Sequence, residues 1–219
     1  MHLYGVVAAI LAAAPQPAAP AALEIVRPAA ATVPVYAAPG GQSVASVGAE
    51  TEFGSPLRYA VVERRGGWLG VISPDVANGR IAWVEARAMR RARLLRERVD
   101  VDLSQRVLRV VRDSRVVLRV PVAVGGAESP TPTGRYAVTD KFPGPELGTV
   151  YGCCVLVLSG HQPQLPPGWA PGDYRLALHG GDTRTIGDAV SAGCVRLRDA
   201  PLRLLMRRLP LGTPVTIHP

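Results

Sequence analysis

Residues 179–196 read His-Gly-Gly-Asp-Thr-Arg-Thr-Ile-Gly-Asp-Ala-Val-Ser-Ala-Gly-Cys-Val-Arg. The segment Tyr174-Arg175-Leu176-Ala177-Leu178 before it alternates polar and apolar side chains, the period of a half-buried strand. His179 therefore stands at the end of a strand. Cys194 follows fifteen residues later, behind Ser191-Ala192-Gly193. A thiol attacks carbonyl carbon as its thiolate, so it needs a base or a positive field beside it. A histidine at the end of a neighbouring strand supplies such a base. Gly193 frees the backbone to turn N–H groups toward a developing oxyanion, with Gly193 and Cys194 as the expected donors. Spacing alone does not separate this constellation from a thiol and a histidine packed in a core.

The surrounding text adds ordered landmarks. Upstream lie Val101-Asp102-Leu103, Val122-Ala123-Val124-Gly125, Thr131-Pro132-Thr133-Gly134 and Tyr151-Gly152. Then come His179-Gly180, Ser191-x-Gly193-Cys194-Val195-Arg196 and a closing Gly212-Thr213-Pro214-Val215-Thr216-Ile217. Taken together, from about Val99 onward, they resemble the YkuD-type L,D-transpeptidase family of bacterial cell-wall enzymes. The resemblance implies a β-rich catalytic domain over 99–219 in which Cys194 is the nucleophile and His179 the base. It implies peptidoglycan stem peptides as substrate, a thioester intermediate, carbapenem-type β-lactams as inhibitors, and no cofactor or metal. Arg196 matches the family's arginine after Gly-Cys-Val; it either holds a substrate carboxylate or braces the cysteine loop. Ser191 matches the motif serine and is counted with the substrate-binding set, its hydroxyl also fixing the turn. Ala192 departs from the many members that carry histidine there, which questions a polar contact at that position. Gly180 is placed at the same site, a carbonyl near it being the expected partner of His179. Arginines 184, 196 and 198 are expected to favour the thiolate and give Cys194 a low pKa.

The rest of the chain sets the context. Its 219 residues suffice for two small domains, and 47% of them are hydrophobic, enough for packed cores. The 23 glycines and 21 prolines are scattered, which suggests short strands and turns rather than a collagenous or disordered tract. The net charge is +8, carried by arginine, with Lys141 the only lysine. No nucleic-acid-binding motif accompanies that charge. It suits an anionic envelope polymer or reflects a codon bias toward arginine. Residues 1–23 hold the apolar run Val6–Ala14, the length of a signal-peptide core and too short to span a bilayer, although no Lys or Arg precedes it. Export to the periplasm or cell envelope follows from that reading.

Residues 24–92 show short strands separated by Pro39-Gly40-Gly41, Gly66-Gly67 and Asn78-Gly79. This pattern is similar to bacterial SH3-like domains, so the expected fold is mainly β: a small SH3-like barrel followed by the catalytic domain with one short C-terminal helix. Trp68 and Trp83 either form a binding face or fill the small core. Residues 93–98, amid Arg87, Arg90, Arg91, Arg93, Arg96 and Arg98, read as a basic linker.

Within the catalytic stretch, Asp113-Ser114 reads as a hairpin turn, and Tyr151–Leu158 as a strand buried on both faces. Cys153 and Cys154 read as two unpaired apolar strand residues, because consecutive strand side chains point to opposite faces. The Pro/Gly loop 159–173 brings Trp169 and His161 either to the cleft or to the surface. Asp199 is expected to cap a helix running to about Arg208, with Leu202, Leu205, Met206 and Leu209 on its inner face.

Competing readings of the whole are an L,D-carboxypeptidase using water as acceptor, a non-catalytic wall-binding protein, and an unrelated cysteine peptidase cleaving all-L peptides.

Overall fold

The computed structural model describes residues 22–169, 172 and 174–219. The expected signal-peptide core, Val6–Ala14, lies outside the described residues. A first group of strands comprises β1 (Leu23–Pro28), β2 (Val33–Tyr36), β3 (Ser43–Val47), β4 (Tyr59–Arg65), β5 (Trp68–Val71), β6 (Ala82–Glu85) and β7 (Met89–Leu95). They pair antiparallel in the order β3-β2-β6-β5-β4-β1-β7. All seven strands send residues to one core, among them Val26, Val35, Tyr59, Val71, Val84 and Met89. A sheet whose every strand shares one core must curl strongly around it, as the right-handed strand twist favours. Trp83 is buried in this sheet, with the Arg65 guanidinium 4.9 Å from its ring centroid. Trp68 packs edge-on against Tyr36 at 5.0 Å.

The expected linker is strand instead. Residues 93–95 end β7, which pairs with β1 from Leu23↔Leu95 to Pro28↔Met89. Glu97 already opens β8 (Glu97–Asp102), leaving only Arg96 between the two strands. Three of the arginines that made the segment look like a linker, Arg90, Arg91 and Arg93, are exposed side chains of the edge strand β7, where charge deters pairing with another chain. Buried Glu97 fixes the junction. It accepts the Arg208 guanidinium through Nε at 3.0 Å and Nη2 at 2.8 Å, and Arg112 Nε lies 3.1 Å away.

The second group continues with β9 (Val107–Arg112), β10 (Arg115–Pro121), β11 (Val124–Gly125), β12 (Gly134–Pro143), β13 (Cys154–His161), β14 (Arg175–His179), β15 (Ala189–Ser191), β16 (Val195–Arg196), the helix α1 (Asp199–Arg208) and β17 (Pro214–His218). Its main sheet has the order β10-β9-β8-β17-β12-β13-β14-β16, and β11 and β15 form a separate parallel pair. The β9–β10 hairpin turns at Asp113 (φ 47°) and Ser114 (φ 72°), the two positive φ values of a type I′ turn. The closing segment is central rather than peripheral. β17 lies between β8, parallel, and β12, antiparallel.

β13 is buried along nearly its whole length, and its two faces serve two purposes. Cys154, Leu156 and Leu158 enter the main core with Leu202, Leu205 and Leu209 of α1. Val155 and Val157 join Ala177 in a smaller cluster on the opposite face. Asp199 does not cap the helix. Arg198 occupies the N-cap position without a side-chain bond, and Asp199 Oδ1 instead accepts the Cys153 N–H at 3.2 Å.

Cys153 and Cys154 form a disulfide, contrary to the sequence expectation. The strand rule fails because β13 begins only at Cys154; Cys153 sits in the turn after Gly152, whose φ is +64°. A residue in a turn is not bound to the opposite face of its neighbour.

The two sheets also meet. Ile25, Ala60, Ile72 and Leu95 of the first pack with Ala137 of the second. Asn78 grips His161 twice, Nδ2 donating to its carbonyl at 2.7 Å and Oδ1 accepting its N–H at 2.9 Å.

Candidate active site

His179 is carried by β14, the strand that the alternation before it announced. β14 is antiparallel to β13 with Val155 opposite His179, and parallel to β16 with Leu178 opposite Val195 and His179 opposite Arg196. Ala177 and His179 share a face because strand side chains alternate. Cys194, one residue before β16, joins the Val155–Val157–Ala177 cluster on that face. His179 and Cys194 therefore border one cavity of about 530 Å³. The chain needs fifteen residues to return a parallel neighbour beside β14, and the segment 180–194 supplies that crossover.

The histidine tautomer follows from its partner. His179 Nδ1 lies 2.7 Å from the Gly180 carbonyl oxygen, which can only accept, so Nδ1 carries the proton and Nε2 keeps its lone pair. The ring meets Tyr151 edge-on at 5.2 Å. Burial pushes the His179 pKa down to about 4; the Gly180 bond works against this and the Arg196 charge adds to it. Burial also pushes the Cys194 thiol up, with the Ala177 main chain and Arg196 pulling the other way. Both shifts favour the neutral forms of the two groups. The expected low thiol pKa is thus corrected, because desolvation outweighs the positive field. Arg184 contributes nothing to that field: it is exposed and paired with Asp182 through two 3.0 Å contacts.

The turn before Cys194 is built from Ser191, Gly193 and a residue that sequence reasoning missed. Gly193 has φ +108°, and a Cβ there would fall 1.8 Å from Gln162 Nε2, so a side chain would strain the turn and displace Gln162. Its N–H donates to Ser191 Oγ at 3.1 Å, and that hydroxyl donates to the Cys194 carbonyl at 2.5 Å. The expected oxyanion donor at Gly193 is therefore engaged inside the turn. The Ser191 hydroxyl is likewise occupied in bracing it, although Ser191 borders the cavity. Gln162 Nε2 reaches Ser129 Oγ at 3.0 Å, the Ala192 carbonyl at 3.1 Å and the Pro130 carbonyl at 3.2 Å. A buried glutamine joining three segments is invisible to spacing, because its partners lie about thirty residues away on either side.

Gly180 is structural rather than ligand-facing. Its carbonyl accepts the His179 Nδ1–H and its N–H donates to the Tyr151 carbonyl at 2.9 Å. Trp169 stands on the cavity rim, 49% exposed, with its ring 5.3 Å from that of Tyr174. His161 turns away from the cleft and places Nε2 2.9 Å from the Pro74 carbonyl.

Two arginines line the cavity, Arg175 and Arg196. Arg175 is engaged through all three of its side-chain nitrogens. Its Nε and Nη2 donate to the Leu158 carbonyl at 3.1 and 2.7 Å, Nη2 also reaches Thr139, and Nη1 pairs with Glu52. Arg196 lines the cavity, and its buried Nε has no hydrogen-bond partner among the described residues. Among the described residues no group of three or more His, Cys, Asp or Glu side chains gathers that could hold a metal ion.

The sequence profile of the YkuD family, L,D-transpeptidase catalytic domain, matches residues 96–217. The chain belongs to this family. The match spans more than half of the chain and contains both His179 and Cys194. The YkuD protein of Bacillus licheniformis is 32% identical over 123 residues, which is 56% of this chain and 66% of that protein. The YkuD protein of Bacillus subtilis is 29% identical over 121 residues, 55% of this chain and 65% of that one. The chain thus spans just under two thirds of the length of these relatives. Among solved structures, an L,D-transpeptidase from Mycobacterium smegmatis aligns with a TM-score of 0.43 at 16% identity, covering 64% of this chain and 73% of that one. Bd1075 of Bdellovibrio bacteriovorus aligns with a TM-score of 0.45 at 24% identity, covering 56% and 48%. L,D-transpeptidase 3 of Mycobacterium tuberculosis, in complex with a faropenem-derived adduct, aligns with a TM-score of 0.41 at 17% identity, covering 64% and 73%.

Proposed function

We propose that this chain is a cysteine-dependent L,D-transpeptidase acting on peptidoglycan stem peptides in the cell envelope. One observation carries the reading: Cys194 and a tautomerically fixed, neutral His179 border the same cavity within a YkuD catalytic domain. Cys194 Sγ adds to the carbonyl carbon of the third residue of a donor tetrapeptide as its proton moves to His179 Nε2. The resulting imidazolium is unfavourable in a buried site, so it returns the proton readily to the departing D-amino acid as the C–N bond breaks. The thioester then passes to an acceptor amine. That amine loses its proton to His179, and the thiol is regenerated. With the Gly193 N–H engaged by Ser191, the Cys194 N–H is the remaining donor of the expected pair for the oxyanion. Arg196 holds a substrate carboxylate. Carbapenem-type β-lactams acylate the same sulfur.

Residues 24–92, which β7 extends to Leu95, are proposed as an SH3-like module, residues 99–219 as the catalytic domain, and residues 1–23 as an export leader. Short strands, glycine turns and one shared core support the module reading.

Incubation of the protein with a disaccharide-tetrapeptide, followed by intact-mass analysis and product chromatography, tests the proposal. The expected result is a tripeptide acyl adduct on Cys194 and a crosslinked dimer. Absence of any Cys194 adduct overturns the reading. Tripeptide alone, over a range of acceptor concentrations, assigns the chain to hydrolysis instead.

A further inference from the structure

The catalytic cavity is not built by the catalytic domain alone. Phe53, from the loop between β3 and β4 of the first sheet, lines it together with Phe142, Val157 and Cys194. The Phe53 and Phe142 rings meet edge-on with centroids 6.1 Å apart. Phe53 is 46% exposed, too open for a core residue, and lines the cavity.

The loop that presents it is shaped and latched. Thr51 Oγ1 accepts the N–H groups of Ser55 at 3.1 Å and Phe53 at 3.3 Å, and Gly54 turns the chain with φ +81°. The same hydroxyl donates to buried Asp140 Oδ1 on β12 at 2.5 Å. Next along, Glu52 pairs with Arg175 of β14, whose side chain is only 8% exposed and is otherwise bound to the Leu158 carbonyl. Thr51 and Glu52 thus tie the loop to two catalytic-domain strands immediately before the residue that enters the cavity. The loop thereby presents a half-exposed phenylalanine to the cavity that Cys194 also lines.

We infer that Phe53 is a specificity-determining residue of the catalytic cleft, contributed by the first sheet, and that it holds an aliphatic stretch of the bound peptide against Phe142 and Val157. None of these three side chains offers a hydrogen bond, so the group they accept is apolar. The inference rests on the transpeptidase reading for the identity of that peptide. Contact of this kind is uniform binding: it lowers KM and leaves the chemical step unaided.

The test uses the full chain with Phe53→Ala, Phe53→Leu and Thr51→Val. For turnover of the disaccharide-tetrapeptide, Phe53→Ala is expected to raise KM about tenfold with kcat within about threefold, the loss expected for one aromatic contact. Phe53→Leu should restore most of it, and Thr51→Val should shift KM the same way by less. A second readout does not depend on the reaction. Alkylation of Cys194 by a pyrenyl maleimide, relative to iodoacetamide, should quicken several-fold in Phe53→Ala as the wall is removed, with the labelled site confirmed by peptide mass. An unchanged reagent ratio overturns the wall. A changed ratio with unchanged KM overturns the substrate contact. If the wild type neither turns over nor acylates, the proposed function fails, while the reagent ratio still decides the position of Phe53.

Discussion

The two sheets are made from the same materials, short β-branched strands and glycine turns, yet they treat their apolar faces differently. The first sheet folds all seven of its strands around one core, and its charged side chains face water. The second has two apolar faces. One is covered by α1 through Leu202, Leu205 and Leu209. The other, with Val155, Val157 and Ala177, is buried under Phe142, Tyr151 and Cys194 and borders the cavity that Cys194 and His179 share. A strand buried on both faces, such as β13, normally signals two packed layers. Here the second layer is a set of rim side chains with a cavity between, and that gap is where chemistry becomes possible.

If this contrast is right, damage to the two regions should separate cleanly. Cys194→Ala and His179→Ala should each lower acyl transfer by more than about a thousandfold with little change in melting temperature, and the double variant should be little worse than either. Val35→Ala, in the first core, should do the reverse: about 2 kcal/mol of stability lost and kcat retained. Parallel denaturant titrations and initial rates check both arms. Substantial activity in Cys194→Ala would sink the mechanism.

Gly193→Ala should be the next largest effect, about a hundredfold in kcat. The substitution combines a disfavoured positive φ with a collision against Gln162, so it displaces the turn that aims the thiol. Single-turnover acylation should show the loss; acylation at the wild-type rate would mean that the turn tolerates side chains and does not aim Cys194.

The pH dependence follows from burial of the pair. The folded His179 pKa, about 4, lies below its ordinary 6.5, so the unfolded chain binds that proton more readily. Stability from this group is complete above about pH 6.5 and declines as pH falls toward 4, by about 3 kcal/mol in all. Urea unfolding at pH 7.5 and 4.5 should show a steeper acid loss in wild type than in His179→Gln. Equal slopes would place His179 in solvent. The acid limb of kcat/KM should likewise fall near 4. Cys194 alkylation should climb only above the ordinary thiol range, since burial raises the thiol pKa.

Trp169→Ala should be smallest. Half exposed on the rim, Trp169 is suited to shielding the thioester from water rather than to the first attack. The expected change is a few-fold fall in the dimer-to-tripeptide ratio, with acyl-enzyme formation nearly unaltered. A constant ratio would leave Trp169 as surface packing against Tyr174.

Local pattern reached far in this chain. Alternation in 174–178 identified β14, the Asp113-Ser114 turn identified the β9–β10 hairpin, and the spacing of Leu202, Leu205 and Leu209 identified the inner face of α1. The Ser-x-Gly-Cys-Val-Arg text identified the family. These features depend on neighbours within a few residues, where period and turn chemistry are decided by the backbone itself. Tertiary structure decided the rest. It turned a basic linker into an edge strand, because Glu97 and the β1 pairing lie outside any local window. It paired Cys153 with Cys154 through a turn, and it occupied the Gly193 N–H with Ser191. It brought Gln162 to the cysteine loop and Phe53 across from the other sheet. It shifted the protonation of His179 and Cys194 toward their neutral forms, since desolvation is a property of what surrounds a residue in space, and no stretch of sequence carries it.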